Sequence, residues 1–192
     1  MKTINTYSFE ELSDEAKQNA IETQRNNEYN FDLDFFNEDT AEQINEAGFK
    51  GNVSLQYSLS HSQGDGLSFS SDYYDKLNEL FTEFLGSGKQ KTIDCLINNC
   101  SFELKGNKGR YCYASKSDLD FYLDNYYVKS QTNIDLVIDK VREKLEDLYM
   151  NLCNELEKNG YKYIEYENSD ECIMENIISN DYYYTINGKM IW

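Results

Sequence analysis

The one histidine of the 192-residue chain, His61, stands beside Ser60, Ser62 and Asp65 in the stretch SHSQGDGLSF. Imidazole near a hydroxyl and a carboxylate is the raw material of nucleophilic catalysis, in which the base takes the hydroxyl proton and the acid orients the base. Closeness in one turn is not that arrangement, because the three groups must converge on one reacting atom. A single imidazole also excludes any site that needs two. His61 falls in register with Val53, Leu55, Tyr57 and Leu59, which places its ring at the edge of a core. A structural or recognition role is favoured over an enzyme centred on His61 and Asp65, and no catalytic residue is assigned.

The adjoining Gln63-Gly64-Asp65-Gly66 has glycines where a turn needs positive φ and an Asp able to close it. Phosphate-cradling loops open a helix after a strand and carry Lys, Ser or Thr downstream. Here a strand follows, and Asp65 repels phosphate. A divalent cation at Asp65 would need oxygen ligands at alternate positions, which the loop lacks. The five cysteines follow no tight framework; Cys95 and Cys100 have no second pair to complete a zinc tetrahedron. Neither a metal nor a cofactor is expected, and the thiols suit a reducing, cytoplasmic compartment.

Charge narrows the partners. The formal net charge of −17 repels nucleic acid and anionic membrane and attracts basic surfaces. Lys105, Lys108 and Arg110 form the densest basic run, too small for a phosphate groove. Aromatic pairs such as Tyr126-Tyr127 therefore read as core or sheet surface, since base-stacking platforms accompany positive grooves. The N-terminal residues lack the apolar region of a signal peptide, and no apolar stretch is long enough to span a bilayer. With 17 Tyr and 10 Phe, the chain can build a real core.

The elements that must position these groups are read from periodicity. Ser8-Phe9-Glu10-Glu11 fits a capping box, Ser13-Asp14-Glu15 repeats the signal, and Ala16, Ala20 and Ile21 give a stripe to about Asn27. Seven carboxylates and no base lie between Glu28 and Glu46, with Phe31, Phe35 and Phe36 as anchors and a helix from about Asn37 to Gly48. Alternation from Val53 to Leu59, resumed by Leu67 and Phe69, predicts a hairpin around SQGDG. Asp72–Leu85 and Thr92–Asn98 are predicted helices; Phe102–Leu104, Tyr111–Ala114 and Phe121–Val128 are predicted strands, the first two joined through Gly106-Asn107-Lys108-Gly109. A long amphipathic helix is predicted from Asn133 to Lys158, ended by Asn159-Gly160, with a strand at Tyr161–Tyr166. Ser169 caps a further helix, and Asn187-Gly188 marks a C-terminal hairpin. The expected fold class is α+β: an antiparallel sheet with hairpins packed against several helices, in one domain over 1–192. Residues 1–48 form its acidic helical part, and residues 49–192 its sheet, long helix and final hairpin.

Three stretches carry a resemblance: YSFEELSDEAKQNAIE, then SQGDGLSF, then YKYIEYENSDECIMENIISNDYYYTINGKMI. In them the chain resembles a family of small phage- and prophage-encoded accessory proteins. Its members begin with a Tyr-Ser-x-x-Glu-Leu-Ser-x-Glu-Ala-Lys head, carry a Ser-Gln-Gly-Asp-Gly turn and end in Gly-Lys. The stretch from about Lys76 to Tyr127 matches only loosely, and His61 stands where an aromatic residue is more frequent. The resemblance implies expression in a bacterial cytoplasm and a non-enzymatic inhibitor of host defence, an anti-CRISPR protein. Its partner would be a CRISPR effector nuclease or complex, with no direct nucleic-acid or membrane binding. Asp32, Asp34, Glu38 and Asp39 would occupy a cationic groove in place of nucleic acid, and Ser62, Gln63 and Asp65 would offer a further contact surface. An antitoxin-like or regulatory protein-binding module, using Tyr-rich strands, and a small enzyme using His61 and Asp65 stay open beside it.

Overall fold

The computed structural model describes residues 5–27, 33–107, 110–123 and 134–191. The first elements are β1 (Tyr7–Ser8), a 3-10 turn (Phe9–Glu11), α1 (Asp14–Asn27) and α2 (Asp34–Ala47). Then come β2 (Phe49–Lys50), β3 (Ser54–Ser58), β4 (Gly66–Ser70), β5 (Tyr73–Tyr74), α3 (Leu77–Leu85) and α4 (Gln90–Ile97). The chain continues through β6 (Cys100–Lys105), β7 (Asp118–Leu123), α5 (Ile134–Glu167), α6 (Asp170–Ser179), β8 (Tyr183–Tyr184) and β9 (Met190–Ile191). Among the described residues every strand pairing is antiparallel, so the class is α+β with hairpins. Among the described residues no helix is long and apolar enough to cross a membrane.

The chain divides into two compact units, Met1–Leu33 with Tyr161–Trp192, and Asp34–Gly160. In the smaller unit the α1 stripe of Ala16, Ala20 and Ile21 is buried with Phe9, Leu12, Ile173, Ile177 and Tyr184. Small alanines on α1 leave room for the β-branched residues of α6, which supply the bulk of that core. Ser13 Oγ accepts the Ala16 N–H at α1, and Ser169 Oγ accepts the Cys172 N–H at α6, so each helix start satisfies an orphan amide. Ser8 donates its N–H and hydroxyl to the Glu11 carboxylate, closing the 3-10 turn. The strand order is β1-β8-β9.

The larger unit pairs β3 with β4, β2 with β5 and β6 with β7. A lone bridge joins Ser71, the residue after β4, to Leu104 of β6, with Ser71 and Leu104 exchanging both backbone hydrogen bonds. Val137, Ile138, Val141, Leu145, Tyr149 and Leu156 form the buried stripe of α5. An aromatic cluster fills the interior: the Phe49 ring lies 5.2 Å from Phe69 and 5.0 Å from Tyr74, and Phe69 lies 4.9 Å from Tyr149.

Several predicted elements are corrected. Asn159-Gly160 does not end α5, which runs unbroken to Glu167, so Tyr161–Tyr166 is helix and not strand. Gly160 belongs to the buried stripe: a Cβ there would stand 2.5 Å from Leu59 and 3.0 Å from the Phe36 ring. Glycine is placed for close packing, at a helix-propensity cost of about 1 kcal/mol. Tyr111–Ala114 is not a strand; β6 pairs instead with Asp118–Leu123, Cys100 opposite Leu123 and Lys105 opposite Asp118. The predicted helix over Asp72–Leu85 begins only at Leu77, because Tyr73 and Tyr74 pair with Lys50 and Phe49. The C-terminal hairpin uses a three-residue loop, with the Gly188 N–H donating to the Thr185 carbonyl and φ of +79° at Gly188. That is a turn followed by a left-handed glycine, and not the two-residue form. Lys108, Gly109, the predicted strand beyond Leu123 with Tyr126-Tyr127, and Asn133 lie outside the described residues.

Candidate functional site

Helix α2 is acidic along one side. Asp34, Glu38, Glu42 and Glu46 follow each other at four-residue steps, with Asp39 beside them, and all five are exposed. At 100° per residue they occupy an arc of about 140°, opposite the buried Phe36, Thr40 and Ile44. Among the described residues no Lys or Arg forms an ion pair with Glu38, Asp39 or Glu42, while Gln43 donates to the Asp39 carboxylate at 2.6 Å. Phe35 falls within the same arc and is 71% exposed. Phe35 is therefore not the core anchor the sequence suggests; neighbouring helix positions lie 100° apart, and only Phe36 faces inward. Asp32 and Phe31 lie outside the described residues. Tyr57 in β3 holds the start of this helix, its phenol donating to Asn37 Oδ1 at 2.9 Å. Burial, with the nearby Asp34 charge, raises the Tyr57 pKa.

The SQGDG hairpin is built around Asp65. Its Oδ1 accepts the hydroxyls of Ser58 at 2.8 Å, Ser60 at 3.1 Å and Ser62 at 3.1 Å, and its Oδ2 accepts the Ser62 N–H at 3.0 Å. Ser60 and Ser62 hydroxyls also meet each other at 2.7 Å. Three of these donors converge on Oδ1, where Ser60 and Ser62, with one proton each, share their bonding between each other and the carboxylate; Asp65 is engaged in holding the turn, which weighs against a general-base role. Gly64 has φ of +106°, and a Cβ there would lie 2.0 Å from the Tyr111 ring; its carbonyl accepts the Cys112 N–H at 3.1 Å. The loop that replaces the predicted Tyr111–Ala114 strand is thus pinned onto the hairpin. Burial first, and then the Asp65 charge, push the Cys112 thiol pKa up. Gln63 is exposed at the tip, as is His61, which has a left-handed backbone with φ of +55°. His61 is on the surface and not at the core edge that strand parity suggests, because the strand ends at Ser58.

A third feature was not legible in local sequence. Tyr149 Oη lies 2.6 Å from Ser117 Oγ, and it meets both the N–H and the carbonyl of Phe69 at 3.3 Å. Burial raises the Tyr149 pKa and pushes the neighbouring Cys153 thiol up to about 12. Tyr149 and Ser117 both line a cavity of about 440 Å³. Among the described residues no group of His, Cys, Asp and Glu is arranged to hold a metal ion.

No family model matches the chain, and no curated protein or solved structure matches it.

Proposed function

We propose that the protein is a non-enzymatic, phage-encoded inhibitor that acts in the bacterial cytoplasm and binds a nucleic-acid-processing host complex, a CRISPR effector, through the acidic side of α2. The observation that carries this reading is the arc of Asp34, Glu38, Asp39, Glu42 and Glu46 with Phe35 exposed inside it. Five charges along about 18 Å of helix give about one per 4 Å, close to the one per 3.4 Å of a single nucleic-acid strand. Like charges four residues apart cost a helix about 0.2–0.5 kcal/mol per pair, so the ridge is kept at the expense of stability. A cationic groove repays that cost on binding, and it speeds encounter. Phe35 adds what a strand of phosphates lacks, an aromatic anchor for a protein pocket.

The test is binding to a panel of purified effector nucleases at two salt concentrations. A variant carrying Asp34→Asn, Glu38→Gln, Asp39→Asn and Glu42→Gln should lose affinity and most of its salt dependence while remaining folded. Affinity that ignores both salt and these substitutions would sink the mimicry. The alternative, a regulatory module of the antitoxin type, is favoured by the exposed strand tyrosines Tyr73 and Tyr122. In that case Tyr122→Ser would weaken capture and the α2 variant would not.

A further inference from the structure

We infer that the larger unit holds a small-molecule site, separate from the acidic side of α2, that takes an organic ammonium ion with a short apolar arm. The cavity beside Tyr149 has a volume of about 440 Å³, within the roughly 300–1,000 Å³ usual for small-ligand sites. Its boundary divides by chemistry. Leu104, Leu119 and Met150 supply apolar surface, Leu104 being buried and the other two partly so. Ser117 and Tyr149 supply the hydroxyl pair. Glu146, three residues before Tyr149 on α5, supplies a carboxylate at an exposed position, Asp118 is a boundary residue cross-strand from Lys105, and among the described residues no Lys, Arg or His lines the cavity.

Each part restricts the ligand. An acidic boundary with no base in its lining disfavours phosphates and carboxylic acids and favours a cation. The apolar wall requires that the cation carry a hydrocarbon arm, because burying a bare ammonium ion costs more than the carboxylates return. The Ser117 hydroxyl has one donor and two acceptor sites. Its bond to Tyr149 uses one of the three, and the others remain for an N–H or O–H of the ligand. Tyr149 is 3% exposed and held by Phe69 as well as by Ser117, so this hydroxyl pair is fixed before any ligand arrives. A preset polar group beside an apolar wall gives orientation at little entropic cost.

The experiment titrates the full chain with phenethylamine, 2-phenylethanol and phenylacetate, following backbone amide shifts by NMR and heat by calorimetry. Phenethylamine should bind with Kd below about 1 mM and shift amides of Leu119 and Met150, with 2-phenylethanol at least about tenfold weaker and phenylacetate weaker still. The surface variant Asp118→Asn with Glu146→Gln should lose about tenfold or more for the amine and nothing for the alcohol. Leu119→Trp should fill the space and abolish binding of both. Equal binding of all three probes, an amine affinity unmoved by the double variant, shifts confined to residues outside the cavity, or no saturable binding of phenethylamine would each overturn the proposal.

Discussion

The phenol of Tyr149 occupies the place of a missing rung beside Phe69. Ser71 and Leu104 exchange backbone hydrogen bonds, and continuing that antiparallel register would set Phe69 against Gly106. The rung is not formed; the Phe69 N–H and carbonyl instead meet Tyr149 Oη at 3.3 Å each. A helix side chain thereby satisfies a strand backbone 80 residues away. Tyr149→Phe keeps the ring in the aromatic cluster but leaves Phe69 and Ser117 polar groups without this partner. The expected loss is about 2–4 kcal/mol, since each buried group left unpaired costs about 1–3 kcal/mol. Urea denaturation checks it, with a lower midpoint and an unchanged m value.

Alkali should destabilise the fold in the same place. Burial pushes the Cys153 thiol up to about 12, and it raises Tyr149 as well. The unfolded thiol releases its proton near about 8.5. Between those values the unfolded state binds fewer protons than the folded one, so stability falls as pH rises. The contribution is complete below about pH 8.5 and is lost progressively as pH rises towards 12. Cys153→Ala should be less stable at pH 7, because it leaves a cavity, yet show a shallower decline of its urea midpoint between about pH 8.5 and 10.5.

How much of this was legible depends on how local the cause is. Ser169 and the carboxylates after it announce α6, and the three- and four-residue spacing from Ile134 to Leu156 announces α5, because both signals act within a few residues. Gly160 was misleading for the converse reason: its small size answers Phe36 and Leu59, which sequence does not place beside it. YKYIEYE alternates like a strand, but the preceding helix had already fixed the phase. The acids of α2 are plain from composition, whereas the exposure of Phe35 among them needs the helix to be rotated about its axis. Tyr149, Ser117 and Phe69 share no local pattern, and only the fold brings them together.

Arg142 ties α5 to β7. Its Nε and Nη2 donate to the Phe121 carbonyl at 3.2 and 2.6 Å, and Nη1 contacts Asp139 at 3.0 Å. The planar guanidinium spans both acceptors at once, which a lysine ammonium on a flexible stem does not reproduce. Arg142→Lys should cost about 1 kcal/mol, and Arg142→Met about 1–2 kcal/mol, by thermal or urea denaturation. Asp139→Asn should cost less than either, because that contact is exposed and screened.

The SQGDG hairpin separates a structural loop from a reacting one through two substitutions with opposite expectations. Asp65 gathers three hydroxyls and one N–H, so Asp65→Ala should release the loop and cost about 1–2 kcal/mol, the larger part of it from Ser58 and the Ser62 amide. His61 differs, because its backbone is left-handed at φ +55°, a conformation that costs an L-residue about 1–2 kcal/mol and glycine almost nothing. His61→Gly should therefore leave stability unchanged or raise it by up to about 1 kcal/mol, the gain being offset by the greater freedom of glycine in the unfolded chain. On the proposed reading, partner binding should survive the His61 substitution in full. It should weaken in Asp65→Ala only to the extent that the loop loosens, which slower binding at unchanged salt dependence would reveal. Loss of binding in a stable His61→Gly protein would instead make the imidazole a contact group, and only turnover that disappears with it would bring back the enzyme reading.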